Sequence, residues 1–84
     1  MKMLTLRDYR RAHELSQTTL AERSGVSQYT ISRIEAGRRP RLENALRLAK
    51  VYGLTLEEFC ELVEATRLEA ERRAAESNDH KERT

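Results

Sequence analysis

The chain has no tryptophan, one cysteine, one proline and three glycines among its 84 residues, and each shortage removes a class of explanation. A lone cysteine, Cys60, can close no internal disulfide, so the core must hold without a covalent staple and a reducing cytoplasm is the simplest compartment. The two histidines, His13 and His80, stand at no metal-binding spacing from each other or from Cys60, so no metal and no cofactor is expected. No apolar run approaches the length of a membrane span, and MKMLTLRDYRR lacks the apolar stretch of a signal peptide; a soluble, cytoplasmic protein with no membrane partner is the expectation. No stretch alternates apolar and polar long enough for a strand. No paired carboxylates, nucleophile and base, or phosphate-cradling loop are present, and 38% hydrophobic residues suffice for a small core but not for a deep cleft beside it, so an enzyme is not expected.

What is present is one phrase used twice: SQTT begins at Ser16 and SQYT at Ser27. A serine just ahead of an apolar-periodic stretch accepts hydrogen bonds from the orphan amides of a new helix. Each serine also follows an apolar residue that is answered five positions on, Leu15 by Leu20 and Val26 by Ile31, the spacing of a hydrophobic staple. The same grammar recurs at Leu4-Thr5 with Tyr9 and Asp8, and at Leu54-Thr55 with Phe59 and Glu58, the acids standing in the capping-box place. Gly25, Gly37 and Gly53 each follow an apolar-periodic stretch and suit the left-handed turn that ends a helix. Pro40 suits the first turn of another, where its missing amide is no loss, and Leu42, Ala45, Leu46, Ala49 and Tyr52 then repeat at helical spacing. The pattern predicts five helices, over 5–13, 17–24, 28–36, 40–52 and from 56 onward, in an all-α domain.

Charge divides the chain. Residues 1–54 carry eleven Lys/Arg against five Asp/Glu, a net +6, and residues 55–84 carry five against nine, a net −4. In the basic half Arg33, Arg38, Arg39 and Arg41 face only Glu35, a stretch that alone would read as a solvated surface. It follows two short capped helices separated by a glycine, however, which is the arrangement of a helix-turn-helix. Ala21 supplies a small side chain where the two axes cross, Val26 and Ile31 plug the corner, and Leu15, Leu20, Ile31 and Ile34 close the core. The face left exposed on the second helix holds Gln28, Tyr29, Ser32 and Arg33, side chains able to meet base edges.

LSQTTLAERSGVSQYTISRIEAGRRP followed by LENALRLAKVYGLTLEEF resembles the lambda-repressor-like helix-turn-helix family, the XRE or Cro/repressor type of bacteria and phages. The likeness runs from about Leu6 to Phe59, with Leu-Ser-Gln, Leu-Ala, Gly-Val-Ser, Ile-Ser, Ile-Glu and the following glycine in register. It implies a compact five-helix domain that binds double-stranded DNA. In the family, the glutamine opening the second helix braces the one opening the third, which contacts a base, often adenine; Gln17 and Gln28 match. The resemblance also implies a largely buried structural ion pair between an arginine of the first helix and the glutamate ending the recognition helix, here Arg10 and Glu35. Two departures bear on the loop contacts: Gly37-Arg38-Arg39-Pro40 is a residue shorter than many family loops, and Arg41 replaces a common small capping residue.

DNA contacts sort into those that position and those that specify. Ser16, Gln17 and Thr18, with the amides opening the second helix, form a dipole-favoured phosphate site; Ser27, Thr30, Arg38 and Arg41 are placed to hold neighbouring phosphates. Gln28, Tyr29, Ser32 and Arg33 form the base-reading set, Arg33 matched to a guanine edge and Tyr29 to a thymine methyl, a phosphate or packing alone.

Past Phe59 the family pattern ends. Leu62, Val63, Thr66 and Ala70 continue a thinning apolar stripe, Glu69 and Arg73 stand at ion-pair spacing, the helix is expected to reach about Ala75, and SNDHKERT after it is expected to be disordered. The organisation is thus a DNA-binding domain over 1–60, a helical extension over 61–76 and a tail over 77–84. One recognition helix reads only a few base pairs, so a homodimer on a pseudo-palindromic operator is expected, with Phe59, Leu62, Val63 and Thr66 as its interface. The functional expectation is a sequence-specific transcriptional regulator, a repressor or controller, bacterial or phage-encoded. The alternative is an antitoxin or adaptor whose C-terminal helix docks a partner protein.

Overall fold

The computed structural model describes the backbone of residues 4–82 and the side chains of residues 4–76. Among them every regular element is a helix: α1 (Leu6–Ala12), α2 (Gln17–Ser24), α3 (Gln28–Glu35), α4 (Leu42–Tyr52) and α5 (Leu56–Glu82). α5 runs past the expected end near Ala75, its backbone helical to Glu82, while the side chains of the expected tail, 77–84, lie outside the described ones.

The caps legible in the sequence are formed. Ser16 and Ser27 accept from the amides of Thr19 and Thr30 at 3.0 and 3.1 Å. Thr5 with Asp8, and Thr55 with Glu58, close reciprocal capping boxes, each threonine hydroxyl accepting the acid's amide hydrogen while the carboxylate accepts the threonine's. The start of α4 also differs. Pro40 is not in the first turn of α4 but precedes its N-cap, Arg41, whose backbone is still extended at ψ 153° and whose side chain makes no capping bond.

Three helix ends follow one device. The amide of Arg38 reaches the carbonyl of Arg33 and that of Gly37 the carbonyl of Ile34, with Gly37 at φ 115°. The same pair of bonds ends α4 around Gly53 and, without a glycine, ends α1 around Glu14, which is forced to φ 56°. Gly37 has a second reason to lack a side chain, because a Cβ there would stand 2.7 Å from the Cβ of Ala70 on α5.

Leu6, Leu20, Val26, Ile31, Ile34, Ala45, Leu48, Ala49, Tyr52, Phe59 and Val63 form the core, with Leu15, Ala21 and Leu62 packed partly buried against it. α2 packs on α3 and α4, and α5 closes the assembly by packing on α4 and α1. The buried row of α4 is Ala45, Leu48, Ala49 and Tyr52, while Leu42 and Leu46, which share its helical spacing, remain exposed.

That closing role overturns one expectation. Phe59 is wholly buried, Val63 is 7% exposed and Thr66 4%, so these residues face their own core and not a second copy. A stripe that continues a core position at helical spacing stays on the same side of a helix, and here that side is already covered. Thr66 is fully engaged: its hydroxyl accepts from the Leu6 amide at 2.9 Å and donates to the Leu62 carbonyl at 2.7 Å, tying the start of α1 to α5. The expected Glu69 and Arg73 pair is present at 3.4 Å, with Arg72 sharing Glu69 at 2.6 Å.

Candidate nucleic-acid interface

α2 and α3 each open with a capped turn, and the reversal at Gly25, φ 79°, brings the two openings together. Thr18 donates its hydroxyl to the Gln28 side-chain oxygen at 3.3 Å. The serine caps are doubled by their threonines, Ser16 Oγ to Thr19 Oγ1 at 3.0 Å and Ser27 Oγ to Thr30 Oγ1 at 2.8 Å. The first amides of each helix have no acceptor within it, so two partially positive ends share one surface.

The second glutamine of the repeat behaves differently from the first. Gln17 turns inward and donates its amide to Glu35 Oε1 at 3.2 Å; it does not brace Gln28, whose neighbour is Thr18. The reason is electrostatic, since the buried carboxylate of Glu35 is a stronger acceptor than a neutral amide at the surface.

Glu35 is the hub beneath this surface. Arg10 donates to it twice, Nε to Oε2 at 2.6 Å and Nη2 to Oε1 at 3.0 Å, and spends Nη1 on the Leu15 carbonyl at 2.8 Å. Arg7 adds a longer contact of 3.9 Å. The hydrogen bond to Glu35 holds the Arg10 guanidinium above its ordinary pKa, while burial, followed by the Glu35 charge, pushes the Tyr52 phenol up to about 12. No buried side-chain nitrogen or oxygen among the described residues lacks a hydrogen-bond partner.

Above the hub lies the exposed face of α3. Gln28, Tyr29 and Ser32 are exposed and Arg33 is half-buried. Arg33 Nη1 donates to the Tyr29 hydroxyl at 2.8 Å. Arg38 and Arg41 are exposed beyond the end of α3. Arg39 is the basic loop residue drawn away, to Glu64 of α5 at 3.7 Å. Two further residues support the site without any motif to announce them. Arg47 of α4 reaches the carbonyl of Gly25 at 3.5 Å while held by Glu43 at 2.7 Å, bracing the turn between α2 and α3. Thr66 docks α1; the one hint of it in the sequence is a polar residue on the buried face of a helix.

Among the described residues, no group of three or more His, Cys, Asp or Glu is placed to hold a metal ion, and no helix is long and apolar enough to cross a membrane.

Residues 6–59 match the model of the family described as helix-turn-helix. An uncharacterized HTH-type transcriptional regulator of Methanocaldococcus jannaschii is 43% identical over 55 residues, covering 64% of this chain and 83% of that protein. No solved structure matches the chain significantly.

Proposed function

The chain belongs to the helix-turn-helix family, and from that premise we propose that it is a sequence-specific double-stranded DNA-binding transcriptional regulator, acting as a repressor or controller, with α3 in the major groove. The observation that carries this reading is the surface formed by the two helix openings joined at Thr18 and Gln28, with Gln28, Tyr29, Ser32 and Arg33 beside it and Arg38 and Arg41 at its edge. Positive helix ends, small hydroxyls and arginines suit phosphates; amide and guanidinium groups on one exposed helical face suit base edges. Ser16, Thr18, Ser27, Thr30, Arg38 and Arg41 hold the duplex, while Gln17 contributes through Glu35 and its own first-turn amide. The M. jannaschii relative, named as a transcriptional regulator, supports this reading over a protein-docking antitoxin or adaptor.

The protein works as a homodimer on DNA. The length of sequence one helix can read demands two copies, and with Phe59, Val63 and Thr66 internal, the surface left for a second copy includes the outer face of α5, where Leu68 is 55% exposed. Selection of bound duplexes from a random pool tests the proposal. The recovered sequences are expected to share a half-site repeated with two-fold symmetry, roughly 34 Å or one helical turn apart. A pool that shows no enrichment contradicts it.

A further inference from the structure

Tyr29 and Arg33 stand one turn apart on the open face of α3, and they are joined. Besides the 2.8 Å hydrogen bond to the hydroxyl, the guanidinium carbon lies 5.4 Å from the centre of the tyrosine ring. Long helical side chains lean toward the helix N-terminus, so the residue at i+4 covers the residue at i, and the ring is where that lean takes Arg33. Arg39 and Arg47 are each held by a glutamate, whereas Arg33 is held by a neutral ring. Its charge is therefore steadied without being cancelled. A guanidinium has five N–H donors and a guanine edge takes two, so the one spent on the phenol leaves enough for a base.

We propose, resting on the DNA-reading role of α3 given above, that Tyr29 is a positioning residue: it holds the Arg33 guanidinium toward the groove-entering end of α3 and does not itself specify a base. Recognition helices meet base edges with their N-terminal residues, yet Arg33 is the sixth of the eight residues of α3. Only by lying back along the helix does its head group reach that end. A free arginine side chain has rotamer entropy that binding must remove, and the ring removes part of it beforehand.

The test uses Tyr29→Ala, Tyr29→Phe, Arg33→Ala and the Tyr29→Ala/Arg33→Ala double variant, each titrated with the operator recovered by selection and with duplexes altered at single base pairs. Nitrogen relaxation of the Arg33 Nε–H group in the DNA-free protein reads the clamp independently. Tyr29→Ala is expected to weaken operator binding about two- to tenfold and to flatten preference at the base pair that Arg33→Ala flattens. The double variant should bind no worse than Arg33→Ala, Tyr29→Phe should recover most of the affinity through its ring, and Arg33 Nε should become more mobile in Tyr29→Ala. Additive losses at separate base pairs overturn the proposal, because Tyr29 then makes its own DNA contact. Equal Arg33 mobility with and without the ring overturns it as well. If Arg33 stays ordered on the ring but Arg33→Ala leaves base preference untouched, the reading role of α3 has failed, and the positioning role falls with it while the clamp itself stands.

Discussion

Arg10 and Glu35, separated by 25 residues, meet through two hydrogen bonds of 2.6 and 3.0 Å in a site where both are buried. The pair fixes α1 against the last residue of α3, and Gln17 adds the opening of α2 to the same carboxylate. Three helices are thus referenced to one buried side chain at the end of the proposed reading helix. Because the pair is buried, it can act on that proposed surface only by setting the positions of the helices that carry it.

Glu35→Ala leaves the Arg10 guanidinium buried with only the Leu15 carbonyl as a partner. The expected loss of folding stability is about 3–5 kcal/mol, because an uncompensated buried charge costs more than the intact pair contributes. Denaturant unfolding measures it, and a stability equal to the parent's would mean that the pair contributes nothing to the fold.

Tyr52 lends the fold an alkaline limit. Its phenol is pushed up to about 12 in the folded chain, against about 10 in the unfolded one. Between those values the unfolded state gives up the proton that the folded state keeps, so stability is fully present below about pH 10 and declines as pH rises toward 12. Tyr52→Phe removes this component, and its stability should fall less steeply over the same window. Parallel curves for the two proteins would contradict the assignment.

Thr66→Val should cost about 1–3 kcal/mol, since it strips the Leu6 amide of its acceptor in a place water does not reach. Thr66→Ser keeps the hydroxyl and should keep most of the stability. Sedimentation of both variants should show the parent's oligomeric state. A change in assembly at unchanged stability would put Thr66 back at a subunit interface.

Much of this fold is written locally. Serine and threonine caps with staples and glycine reversals are decided within six residues, so four of the five helix starts and the turn at Gly25 are legible directly. The reversal after α1 falls on Glu14 at φ 56°, and no glycine marks it in the sequence. Sidedness is harder. The apolar stripe of α5 is legible, but whether Phe59 and Val63 face their own core or a second copy depends on how α5 lies over α1 and α4, which periodicity does not encode. In the same way the resemblance locates Gln17, Gln28, Arg10 and Glu35, while only the packing shows that Gln17 turns to the buried carboxylate. The partners of Arg47 and Thr66 carry no signal in the sequence, since each acts across more than twenty residues on a backbone group and no spacing rule covers such a pair; Thr66 is marked only as a polar residue within the α5 stripe.

The most direct test of the central claim, that α3 reads bases while the residues around it hold phosphates, is one set of binding isotherms over a range of salt. Gln28→Ala, Arg33→Ala, Arg38→Ala and Arg41→Ala are compared on the selected operator and on a scrambled duplex. Gln28→Ala and Arg33→Ala are expected to lose about 1–3 kcal/mol on the operator, with preference relaxed at one base pair per half-site. Arg38→Ala and Arg41→Ala should instead weaken both duplexes alike and lower the salt slope by about one for each phosphate no longer neutralised. Equal weakening of both duplexes by Gln28→Ala and Arg33→Ala would contradict the account, since α3 would then not be the element that distinguishes one sequence from another.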